Sequence, residues 1–369
     1  MSDDTSTTRR NLLKSGAAAS AVAAAGCQTA VPEDRVTVTE VDTQPQAQTA
    51  QQSLDAAKST DVDRVAADPT DIPDPIDRDE PTTIELEMET REMTAEIEDG
   101  VTFDYMTFDG QIPGPMVRAR VGDTIDLTLK NAESNAMSHN VDFHACYGPG
   151  GGAEATNVAP GEEARLRFRV EYPGYFIYHC AVPNLDYHIS AGMFGSILVE
   201  PEEGLPEVDH EFYLGQHEVY TDGDTGQEGH HKYDFGAQAR EEPTYVLLNG
   251  EKYAITPGKY NDMQAEVGDT ARVYFCVGGP NYDSSFHPIG NVWDEVYPQG
   301  AIQSDPHRNV QTTPVKPGSC VVGTMHYPVP GPVKIVDHAL SRVARKGMLG
   351  VIDVSGEEKP EIFDPEPDA

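Results

Sequence analysis

Residues 178–193 have the sequence YHCAVPNLDYHISAGM and place a thiol, an imidazole and a thioether within one short segment. Cys180 is followed eight positions later by His188 and five positions after that by Met193. Cysteine, histidine and methionine, completed by one more histidine from upstream, are the ligands of a blue-copper centre. A structural zinc site needs a closed tetrahedron of cysteine and histidine, and the chain has no cysteine pair at short spacing. The segment therefore predicts a copper site, the alternative being a buried structural cysteine.

The composition argues against a nucleic-acid partner. The 369-residue chain has 26 Lys plus Arg against 62 Asp plus Glu, which gives a formal charge of -36. Binding to phosphates requires a basic surface, and this chain has an acidic one. An acidic excess spread through the whole chain is typical of proteins adapted to high salt, where screening weakens self-repulsion. We therefore expect no nucleic-acid partner and a halophilic source.

Residues 1–27 predict an export signal rather than a folded segment. Thr8-Arg9-Arg10-Asn11-Leu12-Leu13-Lys14 resembles a twin-arginine signal, and the apolar run that follows is too short to span a bilayer. Ala24-Ala25-Gly26-Cys27 looks like a lipoprotein cleavage site, which would leave a lipid anchor on Cys27. We expect an extracytoplasmic protein, exported by the twin-arginine route and anchored to the membrane where Cys27 is lipidated. The alternative is a disordered Ala-rich tail.

The next segment, residues 28–82, predicts a disordered acidic linker. It is rich in Thr, Gln, Ala, Asp and Pro and has almost no aromatic residue. Such a composition buries too little apolar surface to offset the entropy of ordering the chain.

Three cysteines remain outside the signal and the copper segment, namely Cys146, Cys276 and Cys320. An odd number at irregular spacing does not form a disulfide framework. We expect them to be mostly buried thiols.

The rest of the chain predicts an all-β protein made of two similar domains. Thr83–Glu89 alternates apolar and polar residues, and short β-rich runs separated by Gly and Pro follow. Val121-Gly122-Asp123-Thr124 recurs as Val267-Gly268-Asp269-Thr270, and Gly192-Met193-Phe194-Gly195 recurs as Gly347-Met348-Leu349-Gly350. Repeats in the same order at an offset of about 150 residues indicate two copies of one fold. We predict two Greek-key β-sandwich or barrel domains in tandem, at residues 83–203 and 204–356, and an acidic tail at residues 357–369.

The alternation of side chains along a strand divides the histidines of the first copy between two metals. His139 and His144 are five residues apart and so point to opposite faces, and the adjacent residues His179 and Cys180 also diverge. His139 can therefore join Cys180, whereas His144 and His179 face a second metal. Asp142 shares its parity with His144, so we expect its carboxylate on the side of the second metal.

A third histidine for the second metal has to come from elsewhere in the sequence. His338 lies in the second copy at the place that corresponds to His179 and is the best candidate, and His287 could instead act as an acid-base residue. The second copy has no cysteine at the matching place, so only the first can hold a blue-copper site. Three histidines with a vacant fourth position form a catalytic rather than a structural arrangement.

The chain resembles the copper-containing nitrite reductases, with two cupredoxin domains covered from about Thr83 to Ser355. The residues that carry the resemblance are His139-Asn140-Val141-Asp142-Phe143-His144, His179-Cys180, His188, Met193, His287 with Ile289, and His338. The loop from Cys180 to His188 is one residue shorter than in many members, which leaves the colour and the potential of the site open.

The resemblance implies a dissimilatory reductase that converts nitrite to nitric oxide, with one electron passed from a type 1 to a type 2 copper. It implies one copper of each type per subunit, with these ligands: His139, Cys180, His188 and Met193 for type 1, and His144, His179 and His338 for type 2. It also implies that Asp142 and His287 are the catalytic pair, and we expect Ile289 to narrow the substrate pocket. In this family the third type 2 histidine comes from a neighbouring subunit, which implies a homotrimer. The expected electron donor is a small protein of the cupredoxin or cytochrome type.

Two other functions share parts of these features. A two-domain laccase-like multicopper oxidase would need His-x-His pairs and a His-Cys-His run, but Cys180 is followed by Ala181 and no His-x-His occurs. A non-enzymatic blue-copper electron carrier would need only the first metal, so the copper content per chain separates it from the reductase.

Overall fold

The computed structural model describes residues 53–367 and consists almost entirely of β-strands. The prediction of an all-β fold is confirmed. Two short helices are present in this range, α1 (Leu185–Ser190) and α2 (Phe235–Ala239), together with two 3-10 turns (Pro149–Gly152 and Leu340–Arg342). No helix among the described residues is long and apolar enough to cross a membrane.

The first half of the described chain contributes eight strands to two sheets. These are β1 (Thr83–Glu98), β2 (Val101–Phe108), β3 (Val117–Arg120), β4 (Thr124–Asn131), β5 (Asp142–Phe143), β6 (Glu163–Arg169), β7 (Gly174–His179) and β8 (Phe194–Glu200). One sheet contains β2, β1, β4 and β6 in that order, and the other has the order β3-β8-β7-β5. In β1, Met88 is buried while Glu85 and Glu87 are exposed, as expected for a strand with one face against a core.

The second half contributes the remaining twelve strands. These are β9 (His210–Val219), β10 (Gly229–His231), β11 (Tyr245–Leu248), β12 (Gln264–Glu266), β13 (Thr270–Gly279), β14 (Ser284–Ile289), β15 (Trp293–Pro298), β16 (His307–Val310), β17 (Thr313–Val315), β18 (Ser319–His326), β19 (Gly331–Asp337) and β20 (Leu349–Ser355). One sheet has the order β11-β9-β13-β18-β15-β16, and the other has the order β12-β20-β19-β14-β17.

The two halves are joined by both hydrophobic packing and strand pairing. One buried cluster includes residues of the first half together with Tyr213, Tyr274 and Cys276 of the second. Strand β10 lies after the predicted boundary between residues 203 and 204 but pairs in parallel with β2, which extends the first sheet to the order β10-β2-β1-β4-β6. The second half therefore contributes an edge strand to a sheet of the first half.

The described part of the predicted linker, residues 53–82, is packed against both halves. Val65 and Ala66 are buried, and their N–H groups donate to the carboxylate of Glu251 at 2.8 and 3.2 Å. Ala67 donates its N–H to the carbonyl of Ile112 at 2.8 Å. The prediction of a disordered linker is wrong for this segment, because buried partners distant in sequence satisfy its backbone. Residues 28–52 of the predicted linker lie outside the described residues.

The predicted export signal and the lipid anchor at Cys27 also lie outside the described residues. The other cysteines can be assessed: Cys276 and Cys320 are buried, Cys146 is half-buried, and all three are free thiols. This agrees with the expectation of mostly buried thiols.

Candidate metal centres

A first cluster consists of three buried side chains whose ligand atoms face one another. Nδ1 of His139 lies 4.0 Å from Sγ of Cys180, and Nδ1 of His188 lies 3.7 Å from the same sulfur. The ligand atoms of the three residues lie within 4.8 Å of one another. Met193 is fully buried. It lies next to Cys180, because its carbonyl accepts the N–H of Cys180 at 3.1 Å.

Three segments of the chain position this first cluster. Cys180 directly follows β7, His188 lies in α1, and the chain reverses at Gly192 so that Met193 returns to Cys180. Gly192 has a φ of 118°, a conformation that glycine adopts readily. A hydrogen bond holds the loop that carries His139 next to Cys180. The side-chain oxygen of Asn140, the residue after His139, accepts the N–H of Ala181, the residue after Cys180, at 2.7 Å.

The first cluster fits a copper ion. Burial raises the pKa of the Cys180 thiol and lowers the pKa of His188 to about 4, because desolvation disfavours both charged forms. The His188 imidazole thus favours its neutral form, and a bound cation would displace the thiol proton of Cys180. Sulfur and imidazole nitrogen together form the donor set of a blue-copper site.

A second cluster contains Asp142, His144 and His179. Their ligand atoms lie within 4.8 Å of one another, and Nε2 of His144 is 3.1 Å from Nε2 of His179. Nδ1 of His179 is 3.0 Å from the carbonyl oxygen of Cys180 and donates to it. This bond places the proton on Nδ1 and leaves the Nε2 lone pair free for a metal.

The electrostatics of the second cluster also favour metal binding. Burial lowers the pKa of His144, the neighbouring His179 lowers it further, and Asp142 opposes the shift. His144 therefore favours the neutral form, which is the form that binds a metal.

Strand pairing brings Asp142 to this cluster. In the antiparallel pair of β5 and β7, Asp142 lies directly opposite His179. A side chain at position 151 would collide with the Asp142 carboxylate, and Gly151 has a φ of 55°. Glycine at this position therefore leaves room for the carboxylate beside the two imidazoles.

The predicted residues of the second half form a separate pair. The rings of His287 and His338 are 5.2 Å apart at 73°, and neither belongs to the three-residue clusters found among the described residues. His338 is exposed and Ile289 is 38% exposed. Within one chain the structure therefore does not bring His287, Ile289 or His338 to His144 and His179.

Asp337, next to His338, fixes the backbone on both sides of this histidine. Its buried carboxylate accepts the N–H groups of Ser285 and Ala339, both at 3.0 Å, and pairs with Arg342 at 2.6 Å. The N–H of His338 donates to the carbonyl of Ser285 at 2.8 Å. No hydrogen bond between Asp337 and the His338 ring is found in residues 53–367.

Sequence reasoning missed two further residues that support the centres. Glu92 contacts the ring of His139, and Arg342 neutralises Asp337. Each is one charged residue among many, and their partners were not recognisable from local spacing.

Comparison with known proteins identifies the family. A family model described as multicopper oxidase matches residues 89–204. The copper-containing nitrite reductase of Neisseria meningitidis serogroup B is 44% identical over 302 residues, which cover 82% of this chain and 76% of that protein. The chain belongs to the copper-containing nitrite reductase family.

Other members of the family support this assignment. The copper-containing nitrite reductase of Pseudomonas chlororaphis is 34% identical and is matched over 75% of this chain and 80% of that protein. The structure of the copper nitrite reductase from Nitrosomonas europaea gives a TM-score of 0.67 at 33% identity, covering 76% of this chain and 96% of that chain. The multicopper oxidase mgLAC, at 21% identity and a TM-score of 0.60, shares the fold alone. The protein is therefore a copper-containing oxidoreductase with the two-domain cupredoxin fold.

Proposed function

We propose that this protein reduces nitrite to nitric oxide, consuming one electron and two protons and releasing water. The observation that carries this proposal is that two separate clusters of metal ligands meet at one peptide unit, with His179 in one cluster and Cys180 in the other. An electron carrier needs only the first cluster. The second has converging imidazoles and a carboxylate but no sulfur, which is typical of a catalytic metal site.

We assign one type 1 and one type 2 copper to each subunit. The type 1 ligands are His139, Cys180, His188 and Met193, and the type 2 ligands are His144, His179 and His338. When bound, copper supplies a one-electron couple at the first site and, at the second, a Lewis acid that polarises the oxygens of nitrite.

Asp142 and His287 would supply the two protons that nitrite reduction consumes. Asp142 lies beside His144 and His179, so its carboxyl group can hydrogen-bond a nitrite oxygen and deliver a proton to it. Nδ1 of His287 is 2.5 Å from the carbonyl oxygen of Gln311 and donates to it, which leaves Nε2 to hold the second proton and pass it through a bridging water. Ile289 would narrow the pocket above the metal.

The second site requires a homotrimer in this proposal. His144 and His179 supply two imidazoles, and His338 of the same chain lies outside their cluster. His338 is exposed, as are the neighbouring apolar side chains of Ile289 and Leu340. A second copy of the chain would place His338 at the type 2 site of its neighbour and bury these apolar groups.

The electron donor would dock over His188. Tyr187 contacts the His188 ring with a centroid distance of 5.7 Å and packs on Phe235, and both Phe235 and Leu185 are about half exposed. A small cupredoxin or cytochrome could bind this apolar surface by direct contact, since high salt screens long-range attraction.

The location of the protein is also part of the proposal. Arg9 and Arg10 support export by the twin-arginine route, and Cys27 supports a lipid anchor on an extracytoplasmic protein. The net charge of -36 supports function at high salt.

One experiment on the purified protein tests the central proposal. Copper per chain is counted while nitric oxide release from nitrite is assayed with a chemical electron donor. Two coppers per chain and nitric oxide release are expected. One copper per chain without nitrite turnover would overturn the proposal in favour of an electron carrier.

A further inference from the structure

The first cluster has an acidic neighbour that the ligand pattern does not include. Glu92 lies on β1, and its Oε1 is 3.1 Å from Nε2 of His139. The same carboxylate accepts the N–H of Met137 at 2.8 Å and that of Ala136 at 3.1 Å. Glu92 therefore holds both the His139 ring and the loop that precedes it.

The bond to Glu92 fixes the tautomer of His139. A carboxylate accepts, so Nε2 of His139 carries the proton and donates it. The other nitrogen, Nδ1, then has a free lone pair and lies on the side of Cys180 Sγ. The ring is fully buried, so the contact takes place where water screens little of the carboxylate charge.

The second imidazole of this cluster has different surroundings. Nδ1 of His188 also faces the sulfur, and its ring packs against the rings of Tyr187 and His139. In the part of the chain that the structure describes, no carboxylate is hydrogen-bonded to the His188 ring. The anionic contact is therefore specific to His139.

We propose that Glu92 is a positioning residue that lowers the reduction potential of the copper site at His139. This inference rests on the proposed type 1 site. The hydrogen bond increases the basicity of the imidazole, and the negative charge stabilises the more positive oxidised state of the metal. Since Glu92 acts through His139 and touches neither the sulfur nor the substrate cluster, its effect appears in the potential rather than in the ligand set.

Glu92→Gln tests this inference, with Glu96→Gln as the matched control. Glu96 lies on the same face of the same strand, about 13 Å away along β1. Among the described residues it makes no hydrogen bond to a proposed copper ligand. The midpoint potential of the visible copper band is measured by anaerobic redox titration, and copper per chain is counted. We expect unchanged copper content in both variants and a more positive potential in Glu92→Gln alone. The expected shift corresponds to roughly a tenfold change in the electron-uptake equilibrium, or about 59 mV for a one-electron couple.

Glu92→Asp separates the charge from the shape of the side chain, because it keeps the carboxylate on a shorter stem. A potential in Glu92→Asp closer to that of the unchanged protein supports the inference. Equal potentials in Glu92→Gln and Glu96→Gln would overturn it, and so would loss of copper from both Glu92 variants, since Glu92 would then only hold the loop. Failure of the proposed function would appear differently, as absent copper or absent nitrite turnover in the unchanged protein.

Discussion

Nδ1 of His179 donates a hydrogen bond to the carbonyl oxygen of Cys180 at 3.0 Å, so the residue whose sulfur belongs to the first cluster also orients the ring of a histidine in the second. The sulfur of Cys180 faces His139 and His188, whereas Nε2 of His179 faces His144. The two clusters are thereby separate in their ligands and directly connected through the backbone. This arrangement allows each cluster to be altered independently.

Replacing His338 with Ala should abolish nitrite turnover and leave the visible copper band in place. His338 lies outside the Cys180 cluster, so its loss removes only a type 2 ligand under the proposed assembly. We expect loss of one copper per chain and a fall in turnover of at least about 100-fold. Copper counting, visible absorption and nitric oxide release check this.

His326→Ala is the control for this prediction, since His326 is another exposed histidine and pairs with Asp294 at 2.8 Å. It should retain both coppers and turnover. Loss of the visible band together with turnover in His338→Ala would contradict the separation of the two sites.

Replacing Asp142 with Asn should slow nitrite turnover by about 100-fold while both coppers remain bound. The amide keeps the shape of the side chain but cannot deliver a proton to substrate. Steady-state nitric oxide release and copper content are measured on the same sample. Glu154→Gln, an exposed change nearby in sequence, should have no effect. Full activity in Asp142→Asn would exclude Asp142 as the proton donor.

The parts of the molecule that follow from local pattern were predictable from sequence. Alternation in Thr83–Glu89 appears as the start of β1. The spacing of Cys180, His188 and Met193 places them in one short segment because Met193 follows Cys180 by only thirteen positions. His144 and His179 also lie in a different cluster from Cys180, although of these residues only His179 belongs to a strand.

The parts that depend on distant partners were not predictable from one sequence. Glu251 binds Val65 and Ala66 across more than 180 positions, and it is one of 62 acidic residues. Glu92 reaches His139 across 47 positions. The composition of residues 53–82 indicates little apolar surface, but it does not reveal the buried carboxylate that satisfies their backbone.

Replacing Arg342 with Gln should destabilise the turn that carries His338. Arg342 pairs with the buried Asp337 at 2.6 Å and donates to the carbonyl of Asp283 at 2.5 Å, and its guanidinium lies 4.3 Å from the Tyr282 ring centroid. Removing one partner of a buried pair costs about 3 kcal/mol. We expect a lower free energy of unfolding, loss of type 2 copper and retention of the visible band.

Arg342→Lys provides the comparison, since it keeps the positive charge but loses the planar donor geometry. It should recover part of the type 2 copper content. If Arg342→Gln keeps full stability and both coppers, the pair with Asp337 does not hold His338 in place.

The stability of the protein should fall in acid partly because of His217, whose burial lowers its pKa to about 4. The unfolded chain has a histidine pKa of about 6.5, so between these values it binds a proton that the folded chain does not. At neutral pH both states are neutral and the effect vanishes, whereas near pH 4 it amounts to about 3 kcal/mol of lost stability. His217→Gln should therefore weaken the acid dependence of the free energy of unfolding, while its amide can still donate to the carbonyl of Ser190, as Nδ1 of His217 does at 2.9 Å. Urea unfolding of both proteins from neutral pH to pH 4.5 measures the difference, in which the contributions of the acidic residues cancel. Parallel pH curves for the two proteins would show that His217 does not contribute.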